Sequence, residues 1–344
     1  MPDDFLIFAI MFVLGIAALV KASDIFTDAA EQLGLTLGFP QFIIGVTIVS
    51  IGTSLPELVA SLFAISEEVS EVVVGNVLGS NITNILLVVG TASIVTKKGV
   101  NIAYDLVSVD LPLFVGSAFL LGLEIWDANF TKGEALLLLG AYVMYLLYIV
   151  NNSQEIEEEA KETDHSAEIK VSVEIEDSPK PGDSAETGDA AGTGRWFLPK
   201  QVGLLIVSAV VIYVGANFTI DSVIQLSKIL KVGEEIIAVS AVALGTSLPE
   251  LIVTISASRK GKAELAVGNV LGSNIFNSFV VMGVPGILGR LEIPGTIIRE
   301  SLPTMIASTI LLFFVAQDKK LTIWEGWLFY IIYIWFIGET FNFL

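Results

Sequence analysis

Apolar residues fall in blocks of roughly twenty along most of the chain, separated by short polar or charged punctuation. Wound as helices, blocks of this length match the ~30 Å hydrocarbon core of a bilayer. The pattern predicts spans at about Phe5–Val20, Gln41–Ile65, Val72–Val95, Leu106–Leu123 and Glu134–Val150. Five more follow at about Gln201–Leu226, Glu235–Ser258, Ala263–Leu288, Ile298–Ala316 and Leu321–Phe343. The first continues as a more polar helix through Lys21, Asp24, Asp28 and Glu31. These acids, with Asp221, read as interfacial. Asp3 and Asp4 stand where a signal peptide would be basic, and no small-residue cleavage site follows, so the first span reads as a retained helix. The short alternating segments of a membrane barrel are absent. The fold class expected is therefore an all-α polytopic membrane protein with ten transmembrane helices.

Between the fifth and sixth spans the pattern lapses. Asn151–Pro199 is rich in Glu, Asp, Ser, Gly and Pro, and reads as a solvated, mostly disordered loop. Residues 151–198 carry 13 acidic and 4 basic side chains, which accounts for −9 of the net charge of −19. Lys170–Ile175 alternates like a short strand, but no complete EF-hand loop is present. The chain thus divides into residues 1–150, the acidic loop 151–199, and residues 200–344.

The two flanking parts repeat one another. Gly52-Thr53-Ser54-Leu55-Pro56-Glu57 recurs 193 positions later as Gly245-Thr246-Ser247-Leu248-Pro249-Glu250. Gly75-Asn76-Val77-Leu78-Gly79-Ser80-Asn81-Ile82 recurs as Gly268-Asn269-Val270-Leu271-Gly272-Ser273-Asn274-Ile275. From Gly52 to Gly90, 21 of 39 aligned pairs are identical, so the chain is a duplicated five-span unit. Five is odd, and the second copy must enter the bilayer from the opposite side. Inverted repeats of this kind mark secondary transporters with a site near the midplane. With the N-terminus outside, the inner loops hold twelve Lys and Arg residues and the outer loops five. That asymmetry puts the acidic loop in the cytoplasm and the protein in the cell membrane.

Composition narrows the chemistry. The chain is 53% hydrophobic and 16% charged, against about 25% charged for an average soluble protein. It has no Cys, and its one His, His165, lies in the acidic loop, so a metal inside the membrane must take oxygen ligands. No basic patch points to nucleic acid. On the second span Ser50, Thr53, Ser54 and Glu57 share one helix face; Ala243, Thr246, Ser247 and Glu250 do so on the seventh. Ser80 and Asn84, and Ser273 and Asn277, lie one turn apart on the third and eighth. Pro56 and Pro249 should open the preceding turn and free carbonyls near Ser50 and Ala243, while Gly75, Gly79, Gly268 and Gly272 permit close backbone approach. Read singly, each proline is an ordinary kink and each glycine pair a packing face. The glutamates resist that reading, because a carboxylate deep in a bilayer costs roughly 2.5 kcal/mol or more. Two carboxylates among hydroxyls, amides and carbonyls suit a hard cation such as Ca²⁺, and the same oxygens suit several Na⁺.

At these motifs the sequence resembles the cation/calcium exchanger superfamily, specifically sodium/calcium exchangers of prokaryotic type. The resemblance covers both halves and leaves out the acidic loop. It implies two inverted repeats, with the second, third, seventh and eighth spans lining the site and the long first and sixth spans moving to switch access. Carried over, it implies side-chain ligands at Thr53, Ser54, Glu57, Ser80, Asn84, Thr246, Ser247, Glu250 and Ser273, and backbone contributions at Ser50 and Ala243. Asn277 stands where some relatives, including potassium-dependent exchangers, carry Asp. That favours potassium-independent exchange of Na⁺ for Ca²⁺ by alternating access. A calcium/proton or potassium-dependent exchanger is the alternative. The expected partners are the two ions and the bilayer, with no cofactor; the chain is taken as a monomer. A channel fits paired inverted repeats poorly. An enzyme is disfavoured because no His lies in the spans to act as a base.

Overall fold

The computed structural model describes residues 3–68, 70–96, 99–149, 151, 194–230 and 246–340. Most of the acidic loop, including Lys170–Ile175, lies outside these residues. So does the first part of the seventh span, with Ala243 and Gly245. The described chain is helical: α1 (Asp3–Thr36), α2 (Gln41–Ser66), α3 (Glu71–Val95), α4 (Asp110–Ile125) and α5 (Lys132–Ile149) precede the acidic loop. After it come α6 (Gly194–Leu230), α7 (Leu248–Arg259), α8 (Ala263–Leu288), α9 (Ile297–Val315) and α10 (Ile323–Thr340). Among the described residues, seven helices are long and apolar enough to cross a membrane: α1, α2, α3, α5, α6, α8 and α9. α6 starts at Gly194, earlier than the expected Gln201, and encloses Pro199. A proline this near a helix start forfeits a single backbone bond, so the helix runs through it.

Four two-residue strands sort the turns between helices. β1 (Val100–Asn101) pairs antiparallel with β4 (Lys320–Leu321), and β2 (Asn129–Phe130) pairs with β3 (Leu291–Glu292). Under the 193-residue offset β1 corresponds to the region of β3, and β2 to that of β4. The two ladders are therefore the same contact made twice with the halves exchanged. Beside the first ladder, Glu264 at the start of α8 accepts the backbone N–H groups of Ala103 (2.7 Å) and Tyr104 (2.9 Å). Beside the second, the Ser70 hydroxyl before α3 accepts the N–H of Glu292 at 3.0 Å. The end of α3 thus shares a face with the start of α8, so these equivalent helices run in opposite senses.

Burial grades the helices. The apolar windows of α3 and α8 are 72% and 89% buried, whereas those of α1 and α6 are only 17% and 33% buried. α3 and α8 form the centre, and α1 and α6 lie along its outside. α1 and α6 approach through glycine: a Cβ added at Gly15 would lie 3.3 Å from the Gly215 carbonyl oxygen. α2 and α8 approach more closely still. A Cβ at Gly268 would lie 2.4 Å from the Phe42 carbonyl oxygen, and one at Gly272 2.3 Å from that of Val46. The close approach expected of these two glycines is present. Gly75 and Gly79 meet little among the described residues, and the segment equivalent to Phe42–Val46 is not among them.

Ion pairs fasten α1 to the turn before α8. Lys260 Nζ lies 2.8 Å from Asp28; Lys262 Nζ lies 2.8 Å from Asp28 and 2.6 Å from Glu31. Asp24 accepts the Ser256 hydroxyl at 2.6 Å. These acids of α1 are engaged at the protein's edge, whereas Glu57 of α2 and Glu250 of α7 are fully buried.

Candidate cation-binding site

The two repeated phrases break their helices in the same way. Ser54 has φ −91°, ψ 4° and Ser247 has φ −87°, ψ 4°, and a new helix starts immediately after each. This bridge-region backbone lets Pro56 and Pro249 sit in the first turn of the restarted helices, where a missing N–H is harmless. Glu57 and Glu250 follow one residue later, in that same first turn, where the helix dipole favours negative charge. Pro56 also leaves the Gly52 carbonyl without its i+4 donor. The Ser50 carbonyl, by contrast, accepts the Ser54 N–H at 3.0 Å and the Thr53 hydroxyl at 3.3 Å, while the Ser50 hydroxyl donates to the Val46 carbonyl at 2.7 Å. The carbonyl freed by the proline is thus two residues further along than Ser50.

The breaks bring the halves together. Ser54 donates its hydroxyl proton to Glu250 Oε1 at 3.0 Å across 196 residues of sequence. The Thr53 hydroxyl lies 3.4 Å from Ser273 Oγ, and the equivalent contact, Ser80 Oγ to Thr246 Oγ1, is 3.2 Å. Glu57 and Glu250 are both fully buried (0% exposed), as are Asn84 and Asn277. Among the described residues, both carboxylate oxygens of Glu57, Glu250 Oε2, the Ser247 hydroxyl and both amide atoms of Asn84 and Asn277 have no hydrogen-bond partner. Buried polar atoms are nearly always partnered, and a carboxylate left alone in a low-dielectric interior is costly. A cluster of orphaned oxygens around two carboxylates is what a cation would satisfy. Among the described residues no group of three or more His, Cys, Asp or Glu could hold a metal, so any cation here relies on neutral oxygens beside the two acids.

Local helix geometry helps present these atoms. Asn84 and Asn277 each open a π-helical stretch, Asn84–Val89 and Asn277–Val281. Such bulges cluster at functional sites because they turn a side chain or carbonyl out of register. An apolar cavity of about 180 Å³ lies beside the α2 break, lined by Phe26, Gly52, Thr53, Pro56, Tyr213 and Pro249 among others.

The comparisons with known proteins agree with this arrangement. A family model described as sodium/calcium exchanger protein matches residues 7–151 and 200–340, most of the chain on either side of the acidic loop. This chain belongs to the sodium/calcium exchanger family. The exchanger is 34% identical over 344 residues to the sodium/calcium exchanger MaX1 of Methanosarcina acetivorans, covering 96% of this chain and 98% of that one. It is 32% identical over 289 residues to the inner membrane protein YrbG of Escherichia coli, covering 82% and 80%. Its fold matches a structure of the sodium-calcium exchanger NCX_Mj with a TM-score of 0.76 and 25% identity, covering 97% of this chain and 99% of that one. The exchanger is accordingly an integral membrane transporter of a family that carries Na⁺ and Ca²⁺, and not an enzyme.

Several polar residues at the site escaped the sequence reading. Asn76 donates to the Glu57 carbonyl and to Ser61 Oγ, each at 3.2 Å, and its equivalent Asn269 donates to Thr254 Oγ1 at 3.1 Å. Their signal was available, since Asn76 and Asn269 stand in the repeated motif and Ser61 and Thr254 lie one turn after each glutamate. Asn81 donates to Ser278 Oγ at 3.0 Å, whereas its equivalent Asn274 finds no partner among the described residues, with Ile85 at the position equivalent to Ser278. Asp110, another buried acid, is held by the hydroxyls of Tyr104 (3.0 Å) and Tyr145 (3.4 Å) and lies outside the cluster.

Proposed function

We propose that this exchanger carries Na⁺ and Ca²⁺ in opposite directions through one shared site, independently of K⁺, by alternating access. Glu57 and Glu250 supply two negative charges, enough to neutralise one Ca²⁺. Thr53, Ser54, Ser80, Asn84, Thr246, Ser247, Ser273 and Asn277 supply neutral oxygens around them. Ser50 and Ala243 contribute through the backbone, the Ser50 carbonyl once the Thr53 hydroxyl turns from it, and Gly52 adds the carbonyl that Pro56 leaves without a donor. Na⁺ occupies overlapping oxygens, so the two ions exclude one another, and that exclusion couples their fluxes. The observation that carries the reading is the fully buried Glu57, with neither carboxylate oxygen partnered among the described residues, beside a Glu250 bridged to the other half by Ser54.

The frame is two inverted five-helix repeats, a reading supported by the exchanged strand ladders and the opposed α3 and α8. Alternating access is supported by the close mutual packing of α1 and α6, which meet at Gly15 and Gly215 outside the buried α3 and α8. A pair of helices packed mainly on each other and on lipid can slide while the centre stays fixed. Potassium independence rests on Asn277, which leaves the site with two acids. The distribution of Lys and Arg orients the protein with its N-terminus outside, so that inward Na⁺ flow expels cytosolic Ca²⁺.

Reconstitution in liposomes tests this directly. Ca²⁺ uptake should follow an outward Na⁺ gradient without K⁺. Uptake that needs K⁺, or that a pH gradient alone drives, would refute it.

A further inference from the structure

A hydroxyl can coordinate a cation only if a lone pair faces the ion, which requires its own proton to point elsewhere. Thr53, buried at 2% exposure, has Asn269 Oδ1 at 3.1 Å, the Ser50 carbonyl at 3.3 Å and the Ser273 hydroxyl at 3.4 Å, and the Glu250 carboxylate competes for the same proton. The nearest of the three belongs to Asn269 in the opposite half. Asn269 is fully buried, and its Nδ2 donates to the fully buried Thr254 hydroxyl at 3.1 Å. The amide is thereby anchored at one end by its own half, and its oxygen is presented to the other.

We propose that Asn269 is a positioning residue that sets the orientation of the Thr53 hydroxyl. It takes the Thr53 proton away from the cluster, so that a lone pair of Thr53 Oγ1 is left to face the ion. Thr254 holds the far end of the amide, and so keeps Asn269 within reach of Thr53. Asn269 does not reach the ion; it acts through Thr53, and the inference therefore rests on the reading of Thr53 as a ligand. The equivalent Asn76 bonds its own half through Ser61 and the Glu57 carbonyl. Asn76 therefore steadies the backbone under a glutamate, while Asn269 controls a hydroxyl across the interface between the halves.

The test is a double-mutant cycle on the purified full chain, read by equilibrium binding of radioactive Ca²⁺ with Na⁺ as competitor. Asn269→Ala should weaken Ca²⁺ binding roughly tenfold when Thr53 is present, the scale of one buried hydrogen bond. In a Thr53→Val background the same change should have no further effect. Equal weakening in both backgrounds would mean that Asn269 acts on packing, and the proposal would fall. Thr254→Val should reproduce part of the loss, and Thr254→Ser should restore wild-type binding. If Asn269→Ala does not stay monodisperse, the Thr254 pair decides, with unchanged binding in Thr254→Val counting against the proposal. A wild-type protein that binds neither ion would overturn the functional reading and this inference together. Wild-type binding with insensitive variants would overturn the inference alone.

Discussion

Replacing Glu57 by Gln removes one charge from the cluster with little change of shape. Both Glu57 oxygens lack a partner among the described residues, so the exchange breaks no hydrogen bond with them. The folded protein should survive it. The ion should not bind as before. With Glu57 and Glu250 ionised, bound Ca²⁺ leaves the cluster neutral; with Gln at 57 it leaves a net charge of +1 in a fully buried site. Removing one member of a buried ion pair costs about 3 to 5 kcal/mol. That corresponds to a Kd for Ca²⁺ raised by roughly two to nearly four orders of magnitude. A single Na⁺ is still neutralised by Glu250, so Na⁺ binding should fall much less. Titration calorimetry of the purified variant with each ion, beside Na⁺-driven Ca²⁺ uptake in liposomes, measures both effects. Glu250→Gln should behave alike, with the added loss of a charged acceptor for Ser54. Robust exchange by Glu57→Gln, in protein with a wild-type melting curve, would remove the central argument.

Packing and pH supply further expectations. Gly272→Ala places a methyl 2.3 Å from the Val46 carbonyl oxygen and 2.5 Å from Ser50 Oγ, so α2 and α8 must part. A loss of about 1 to 3 kcal/mol should appear as a lower thermal midpoint; an unchanged midpoint would show that the contact is looser than described. Gly116→Ala on α4, with open space around it, should instead be neutral or gain about 0.5 to 1 kcal/mol. In the turn before α4, hydrogen bonds from Lys319 and Ser108 hold the Asp105 carboxyl below the usual carboxylate range, with the Lys319 charge adding to the effect. A lowered folded pKa gives stability that is present above the unfolded value of 3.8 and lost as pH falls through the folded one. Asp105→Asn should therefore flatten the acid end of the stability curve. The effect should be within about 1 kcal/mol, because the pair is well exposed. An acid limb identical to the wild type's would count against the Asp105–Lys319 pairing.

Much of this protein can be read along the chain. Membrane spans follow from apolar block length, which is a local property, and the duplication follows from an offset that never changes between Gly52 and Gly90. The polar faces around Glu57 and Glu250 follow from helical spacing, and the family from motifs present twice. What cannot be read there is who meets whom. Asn269 and Asn277 are the same residue type on one helix, two turns apart. One is bonded to Thr53 and Thr254, and the other has no partner among the described residues. Asn81 and Asn274 are equivalent by sequence, yet one finds Ser278 and the other has no partner among the described residues. Ser54 meets Glu250 across 196 residues. In each case residue type fixes which bonds a side chain can make, while helix packing decides whether a partner stands within about 3 Å. That packing is set by glycine contacts such as Gly272 on Val46, which join segments far apart in the chain. The chain's order therefore names the oxygens from which a cation site can be built, and the crossing of α2 on α8 and of one half on the other selects those left free for the ion.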